Sequence, residues 1–514
     1  MVPAESEVYT TAGRVRGCVE NGVAVFRGIP FASPPLGTLR FRAPRPPEPW
    51  DGVRDAIRFG PPAPQAPFPG APSASAAEGD TGDWLTVNVW TPDPHVRTLP
   101  VLVWIHGGAY LFGSAAEPGY DGTTFAAAGA VFVSCNYRLG VEGFAQIPGV
   151  PANRGLLDAV AALRWVRENI ARFGGDPANV TVFGESAGAG VISALLAMDE
   201  ASGLFTRAIA QSVPGTVFTP DLAADVTRAI AAAAGVPATR EALSQTDPMR
   251  LVDAAMNVTG RMKQFAQWGP VRLTDTPFSP VVDGEVLPRA PWRALLSGAA
   301  RKVELFTGHN RDEYRLFIAM SGRLGRITDA DAATVLENFA PAPDGPARYR
   351  KAYPDADAGR LFELVFSDWL FRMPTLHLAQ AHAASGGKTF LYELRAEAPA
   401  ASDMFGACHA LDVPLVFGSA GQGTGQDTGQ DTGQGIGAAL TGEQPSPEFL
   451  ALGDLMRSEW LRFATSGDPG WPVYGTVHRT TRVYDLQPDV RPYPEEASMH
   501  LWERHQFDAL GLIG

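Results

Sequence analysis

Five residues, Gly184-Glu185-Ser186-Ala187-Gly188, sit between the apolar run Asn179-Val-Thr-Val-Phe183 and a second one, Val191 to Met198. The first run is short and β-branched and predicts a strand; the second continues a helix. A strand that turns straight into a helix needs small residues on either side of the turn, and Gly184 and Gly188 meet that need. Ser186 is then presented at the tip, above a helix N-terminus that favours developing negative charge. The bare pattern is common, and its strand-to-helix context is what makes it specific.

The chain around it repeats the same alternation. Pro100-Val-Leu-Val-Trp-Ile105, Ala130-Val-Phe-Val-Ser-Cys135 and Ala208-Ile-Ala-Gln211 are further strand candidates. Leu156 to Phe173 carries Val160, Leu163, Val166 and Ile170 at helical spacing and ends at Gly174-Gly175. Strands alternating with helices predict an α/β protein with a mostly parallel sheet covered on both faces. Val23 to Phe26, Val303 to Thr307 and Thr389 to Leu394 add strands, and Glu448 to Thr465 adds a last amphipathic helix. Residues 221–380 are predominantly helical and predict a cap or lid. Residues 61–82, rich in Pro, Ala, Gly and Ser, predict a surface loop. The Thr-Gly-Gln-Asp repeat within 421–435 has no apolar side chain to bury and predicts a flexible insertion.

Composition removes several function classes. With 45% hydrophobic residues among 514, the chain has ample core and is not disordered at large. Large α/β enzymes elaborate one sheet at this length, so one domain over 1–514 is expected. The net charge of −13, with no basic cluster, argues against nucleic acid or anionic membrane as partner. No run of about 18 apolar residues predicts a membrane span. Cys18, Cys135 and Cys408 are too few for a disulfide framework, and Met1 to Glu7 reads as no secretory signal. The expectation is a soluble protein of a reducing compartment, the cytoplasm.

A second motif, His106-Gly107-Gly108-Ala109-Tyr110, directly follows the strand at 100–105. Small residues at a strand end let the backbone approach a substrate, and rigid N–H groups there would hold an oxyanion. Gly108 and Ala109 are the candidate donors, with Ala187 as the third. His106 has no second ligand at metal spacing, and no metal or organic cofactor is implied.

A serine alcohol needs a base to become a good nucleophile. With a serine on such an elbow the chain order is serine, acid, histidine. Past Ser186 the histidines are His309, His377, His382, His409, His478, His500 and His505. His409 lies in a loop before an apolar segment and is favoured. His377 and His382 fall in a helical stretch, and His500 and His505 lie near the end. Asp312 and Glu313 follow a strand end and are both acid candidates; His309 precedes them, the wrong order for the base.

These residues, and others along nearly the whole chain, resemble the type-B carboxylesterases, the group that includes bacterial para-nitrobenzyl esterases and animal cholinesterases. Phe26-Arg-Gly-Ile-Pro-Phe-Ala32 with Pro34-Pro35, Leu39-Arg40-Phe41 and Trp50 is similar to the family's N-terminal signature. So are Asn136-Tyr-Arg-Leu-Gly140 with Gly143-Phe144, Gly155-Leu-Leu-Asp158, Ala162-Leu-Arg-Trp-Val166 and Phe173-Gly-Gly-Asp-Pro177. Val182-Phe-Gly-Glu-Ser-Ala-Gly188 is the most specific block; Pro280-Val-Val-Asp-Gly284 and Gly467-Asp-Pro469 with Trp471-Pro472 complete the set.

The resemblance implies an α/β-hydrolase fold and a serine carboxylesterase working through an acyl-enzyme. It implies Ser186 as nucleophile, His409 as general base and Glu313, rather than Asp312, as the acid. Gly108, Ala109 and Ala187 match the oxyanion donors. A disulfide common in the family is absent, because Ala63 and Trp84 stand at its positions. Gly82 stands where an acidic residue usually precedes Asp83, so Arg40 is expected to lack its ion-pair partner; Ala189 replaces a glycine after the elbow. The implied partner is a small-molecule ester, for a bacterial, cytoplasmic enzyme acting as monomer or dimer. The same triad would also serve an acyltransferase, thioesterase or lactone-forming enzyme, and the same fold occurs in catalytically silent binding proteins. Trp84 is read as a rim or core residue, not a cation site.

Overall fold

The computed structural model describes residues 5–67, 82–96, 98–421 and 436–513. Most of the expected loop at 61–82 and nearly all of the repeat at 421–435 lie outside the described residues. Thirteen strands form one sheet: β1 (Glu5–Tyr9), β2 (Arg14–Glu20), β3 (Val23–Pro30), β4 (Val53–Asp55), β5 (Thr86–Thr91), β6 (Leu99–Ile105), β7 (Val131–Cys135), β8 (Gly175–Glu185), β9 (Arg207–Gln211), β10 (Glu304–Asn310), β11 (Thr389–Leu394), β12 (Thr480–Tyr484) and β13 (Asp489–Pro492). Their order across the sheet is β1-β2-β3-β5-β7-β6-β8-β9-β10-β11-β12-β13, with β4 beside β2. The run from β7 to β12 is parallel throughout. β1, β2, β3 and β5 on one side and β13 on the other pair antiparallel along that order.

The central strands are covered on both faces, which is why they read as unbroken apolar runs. Their alternation splits the core in two. Val101, Val103, Val131, Val133, Val180 and Val182 face one layer, with Leu156, Val160, Leu163 and Val166 of the helix Arg154–Asn169. Leu102, Trp104, Phe132 and Phe183 face the other, with Phe449, Met456, Trp460 and Phe463 of the helix Pro447–Ser466.

The long helical stretch is broken by β10, which enters the centre of the sheet. Helices Pro220–Ala233, Arg240–Gln245 and Pro248–Thr259 precede it; Arg315–Met320, Asp329–Phe339, Gly345–Ala352, Ala358–Ser367 and Met373–Ala384 follow it. Thr219, Thr239, Asp247, Thr328 and Asp357 start five of these helices, their side chains accepting first-turn N–H groups.

With glycine at position 82, Arg40 is paired from another segment: Glu142, on the short helix Gly140–Phe144, accepts its Nε at 3.0 Å and Nη2 at 2.5 Å. Arg40 is buried, and a buried guanidinium without a carboxylate would be costly, so the chain supplies one from a different segment.

Candidate active site

Ligands in open α/β sheets bind outside the carboxyl ends of the strands. The candidate residues gather there, carried by the exits of β6, β8 and β10 and by the loop after β11. Ser186 follows β8 directly and caps the helix Ala187–Leu195 with φ 56° and ψ −125°, a backbone region a side chain strongly disfavours. Its N–H is held by the Gln211 carbonyl at 2.9 Å, at the end of β9. The flanking glycines are required by crowding. A β-carbon on Gly184 would come within 2.5 Å of the Ile105 carbonyl, and one on Gly188 would collide with the same oxygen.

The exit of β6 lies against this elbow, since a β-carbon on Gly107 would come within 3.2 Å of Ser186 Cβ. Gly108, Ala109 and Tyr110 all have positive φ, at 110°, 55° and 59°. Gly108 cannot be replaced, because its β-carbon would run into the Phe112 carbonyl. The loop is anchored by His106, whose ring stacks on Tyr137 at 4.6 Å while the Tyr137 hydroxyl donates to the His106 carbonyl at 2.8 Å. Burial presses the His106 imidazole down to about 4, so it is neutral and structural. Ala187 opens its helix, so no intrahelical carbonyl reaches its N–H. A hollow of about 20 Å³, room for one water, lies behind the loop among Leu111, Val141, Leu251 and Met256; neither Ser186 nor His409 lines it.

The loop carrying His409 is laced to the turn carrying Glu313. Asp312 N–H donates to the Ala407 carbonyl at 2.9 Å, Ala407 N–H returns a bond to Asp312 Oδ2 at 3.1 Å, and Asn310 Nδ2 donates to the Cys408 carbonyl at 2.7 Å. Across this seam His409 Nδ1 lies 2.5 Å from Glu313 Oε2. Glu313 Oε1 accepts the Ser212 hydroxyl at 2.6 Å and the Asn310 N–H at 2.8 Å. With Nδ1 donating to Glu313, Nε2 is left as the acceptor.

Of the two acid candidates, geometry brings only Glu313 to the imidazole. Asp312 turns to Arg311 at 2.7 Å and Arg360 at 3.1 Å. Burial opposes its charge, but Arg311, then Arg360 and the Ala407 N–H hold its carboxyl well below the usual range. His309 is buried on β10 and spends its ring on Tyr493, and His382 bonds the Thr389 hydroxyl.

Three groups around His409 carry no signal that sequence alone assigned. Glu185, inside the elbow motif, places Oε1 3.1 Å from His409 Nε2, out of line for a hydrogen bond, and neither atom has a hydrogen-bond partner among the described residues. Ser212, at the end of β9, holds Glu313. Asp412, three residues past His409, accepts Gln211 and the Tyr392 hydroxyl, each at 2.7 Å; its fixed spacing from His409 is the one clue available. Burial presses the His409 imidazole down, but Glu185, Glu313 and Asp412 outweigh it and hold it up at about 9. Burial pushes Glu185 up to about 8, against the pull of His409 and with the push of Asp412 and Glu313. The two therefore titrate as a pair: a proton on Glu185 removes the largest upward pull on His409.

An elbow serine, a carboxyl-bound histidine and a glycine-rich strand exit thus meet at one end of the parallel strands. The model of the Carboxylesterase family matches residues 4–471. The para-nitrobenzyl esterase of Bacillus subtilis is 36% identical, over 95% of this chain and 96% of its own. The phenmedipham hydrolase of Pseudarthrobacter oxydans is 33% identical, over 91% and 92%. A crystal structure of a Geobacillus stearothermophilus carboxylesterase superposes with a TM-score of 0.83 at 36% identity, covering 96% of this chain and 99% of that one. With the family's model spanning most of its length and relatives this similar end to end, the chain belongs to the carboxylesterase family, a carboxylic ester hydrolase of the α/β-hydrolase fold.

Proposed function

We propose that Ser186, His409 and Glu313 are the catalytic triad and that the N–H groups of Gly108, Ala109 and Ala187 form the oxyanion hole. The observation that carries the reading is the 2.5 Å contact of His409 Nδ1 with Glu313 Oε2 beside the strained elbow. His409 Nε2 takes the Ser186 proton as Oγ attacks the ester carbonyl carbon. The carbonyl oxygen becomes an oxyanion held by the three N–H groups, and Glu313 holds the tautomer and steadies the imidazolium. The oxyanion collapses, the ester C–O bond breaks, and His409 gives its proton to the leaving alcohol. Water then gives a proton to His409 as it attacks the acyl carbon; the bond from that carbon to Ser186 Oγ breaks, the acid leaves, and His409 returns its proton to Ser186 Oγ.

The substrate is read as a small ester, with an aryl or benzyl ester favoured by the name of the Bacillus relative. Chain 1–514 is read as one domain with its 221–380 helices as the cap. Cys18, Cys135 and Cys408 are free thiols, which supports a reducing, cytoplasmic setting in a bacterium. Among the described residues, no helix is long and apolar enough to cross a membrane.

The test is hydrolysis of para-nitrophenyl acyl esters, from acetate to long chains, by wild type and Ser186→Ala. Turnover in the wild type alone, with a chain-length optimum that sizes the acyl pocket, is expected. Equal turnover by Ser186→Ala would overturn the assignment.

A further inference from the structure

The bond from His409 Nδ1 to Glu313 and the Cβ–Cγ bond set the mean plane of the imidazole, but a single hydrogen bond bends easily and does not limit how far the ring swings about that mean. A general base must present its lone pair within tight limits of angle and distance. Something must therefore hold the plane of the ring. The Phe371 ring lies on it, 4.2 Å between centroids and 30° from parallel. Phe317 stands farther off, at 5.3 Å and 41°, and is only half-buried, whereas Phe371 is buried.

Phe371 reaches His409 because of a defect in a helix. Residues 358–384 form one continuous helical run in which Asp368–Arg372 is a π turn. Its cause is in the sequence. Pro374 has no N–H to give the carbonyl four residues back, so the Leu370 carbonyl is released and accepts Gly215 N–H at 2.7 Å instead. The extra residue of a π turn rotates the helix by about 100°.

Both ends of the turn are pinned. Arg372 Nε donates to Asp368 Oδ1 at 2.8 Å, and Asp368 Oδ2 accepts the Tyr349 hydroxyl at 2.7 Å and the Ser498 hydroxyl at 2.6 Å. Arg372 Nη1 then donates to the Arg311 carbonyl at 3.0 Å, in the turn that carries Glu313. One turn thus grips the backbone beside the acid and lays a ring on the base.

Resting on the reading of His409 as the base, we propose that Phe371 is a positioning residue: its ring fixes the plane in which His409 Nε2 faces Ser186, and the Pro374-induced π turn delivers it. The experiment compares wild type, Phe371→Ala, Phe371→Tyr and His409→Ala on para-nitrophenyl acetate. Burst titration counts competent sites, so kcat is read per folded enzyme. Phe371→Ala should lose kcat by about 10- to 100-fold with KM little changed, the scale of a misplaced catalytic group. The acid limb of its kcat/KM profile should move to higher pH, because water admitted beside the imidazolium relieves burial while Glu185, Glu313 and Asp412 remain. Phe371→Tyr, which keeps the flat face, should restore kcat. A loss confined to KM, a kcat within twofold of wild type, or no rescue by tyrosine would each overturn the proposal. Activity in His409→Ala would sink the base assignment, and this proposal with it; an inactive His409→Ala beside a fully active Phe371→Ala would sink the positioning alone.

Discussion

Arg138–Asp158 and His409–Glu185 are both buried acid–base pairs, and they are finished differently. In the first, Arg138 Nε and Nη2 meet both carboxylate oxygens at 2.7 Å, the Arg138 N–H adds a third bond at 3.0 Å, and Nη1 donates to the Arg42 carbonyl at 2.8 Å. Neither side chain is exposed, at 0% each. In the second, Glu185 Oε1 and His409 Nε2 are 3.1 Å apart without a bond between them or to any other of the described residues. A closed pair holds structure, because every group taken from water has a partner. An open pair keeps a lone pair and a charge ready for a proton in flight. Arg138–Asp158, closed, ties a strand exit to the helix Arg154–Asn169, and His409–Glu185, open, sits at the elbow.

His409→Ala removes the open pair and should cost about 10⁴- to 10⁶-fold in kcat, with non-additive effects alongside Ser186→Ala. Steady-state hydrolysis measures it, and a kcat within tenfold of wild type would break the contrast. Asp158→Asn should do the reverse. It strands a buried guanidinium, and a loss of about 3–5 kcal/mol is expected in urea unfolding. Activity per folded molecule should stay near wild type; an unchanged midpoint would break the contrast.

What could be seen without coordinates follows the same division. Ser186, Gly108 and Ala109 belong to motifs whose neighbours lie within a few residues, so sequence displays them. Glu313 and Asp312 are adjacent, and order along the chain cannot choose between them; only the fold turns one toward His409 and the other toward Arg311. Ser212 and Phe371 come from segments far from His409 and from each other, and nothing local marks either as part of its surroundings; Asp412 is three residues on, a spacing that alone assigns it no role. The strand β5 hid for another reason. Thr86, Asn88 and Thr91 interrupt its apolar pattern, although all are buried, and Asn88 bridges Gly28 N–H and the Ser134 hydroxyl. The π turn leaves a trace in Pro374, but a proline alone predicts a kink and says nothing of what the kink points at.

Glu185→Gln closes the comparison from the electrostatic side. Glu185 raises His409 by favouring the imidazolium. Without that charge the imidazole loses its proton at lower pH. His409 must be neutral to accept from Ser186, so the acid limb of kcat/KM should move to lower pH. On the plateau kcat should fall about tenfold, the worth of roughly one pKa unit of charge stabilisation lost from the transition state. A limb that stays in place would mean that Glu185 is already neutral throughout the working range.

The smallest effect concerns the elbow backbone. Ser186 sits at φ 56° and ψ −125°, and a strained residue of this kind costs on the order of 1–3 kcal/mol. Ser186→Ala keeps the β-carbon and therefore the strain. Ser186→Gly removes it, at the expense of a more disordered unfolded chain, about 0.4–1 kcal/mol. Both variants lack the hydroxyl of the proposed nucleophile, so the comparison rests on stability alone. Urea midpoints at equal slope should put the glycine variant about 1 kcal/mol above the alanine variant, the reverse of the order found wherever a backbone is relaxed. Equal midpoints would mean that the elbow adjusts once the hydroxyl is gone. The strain would then be tied to the serine's own contacts and not to the turn that Gly184 and Gly188 enforce.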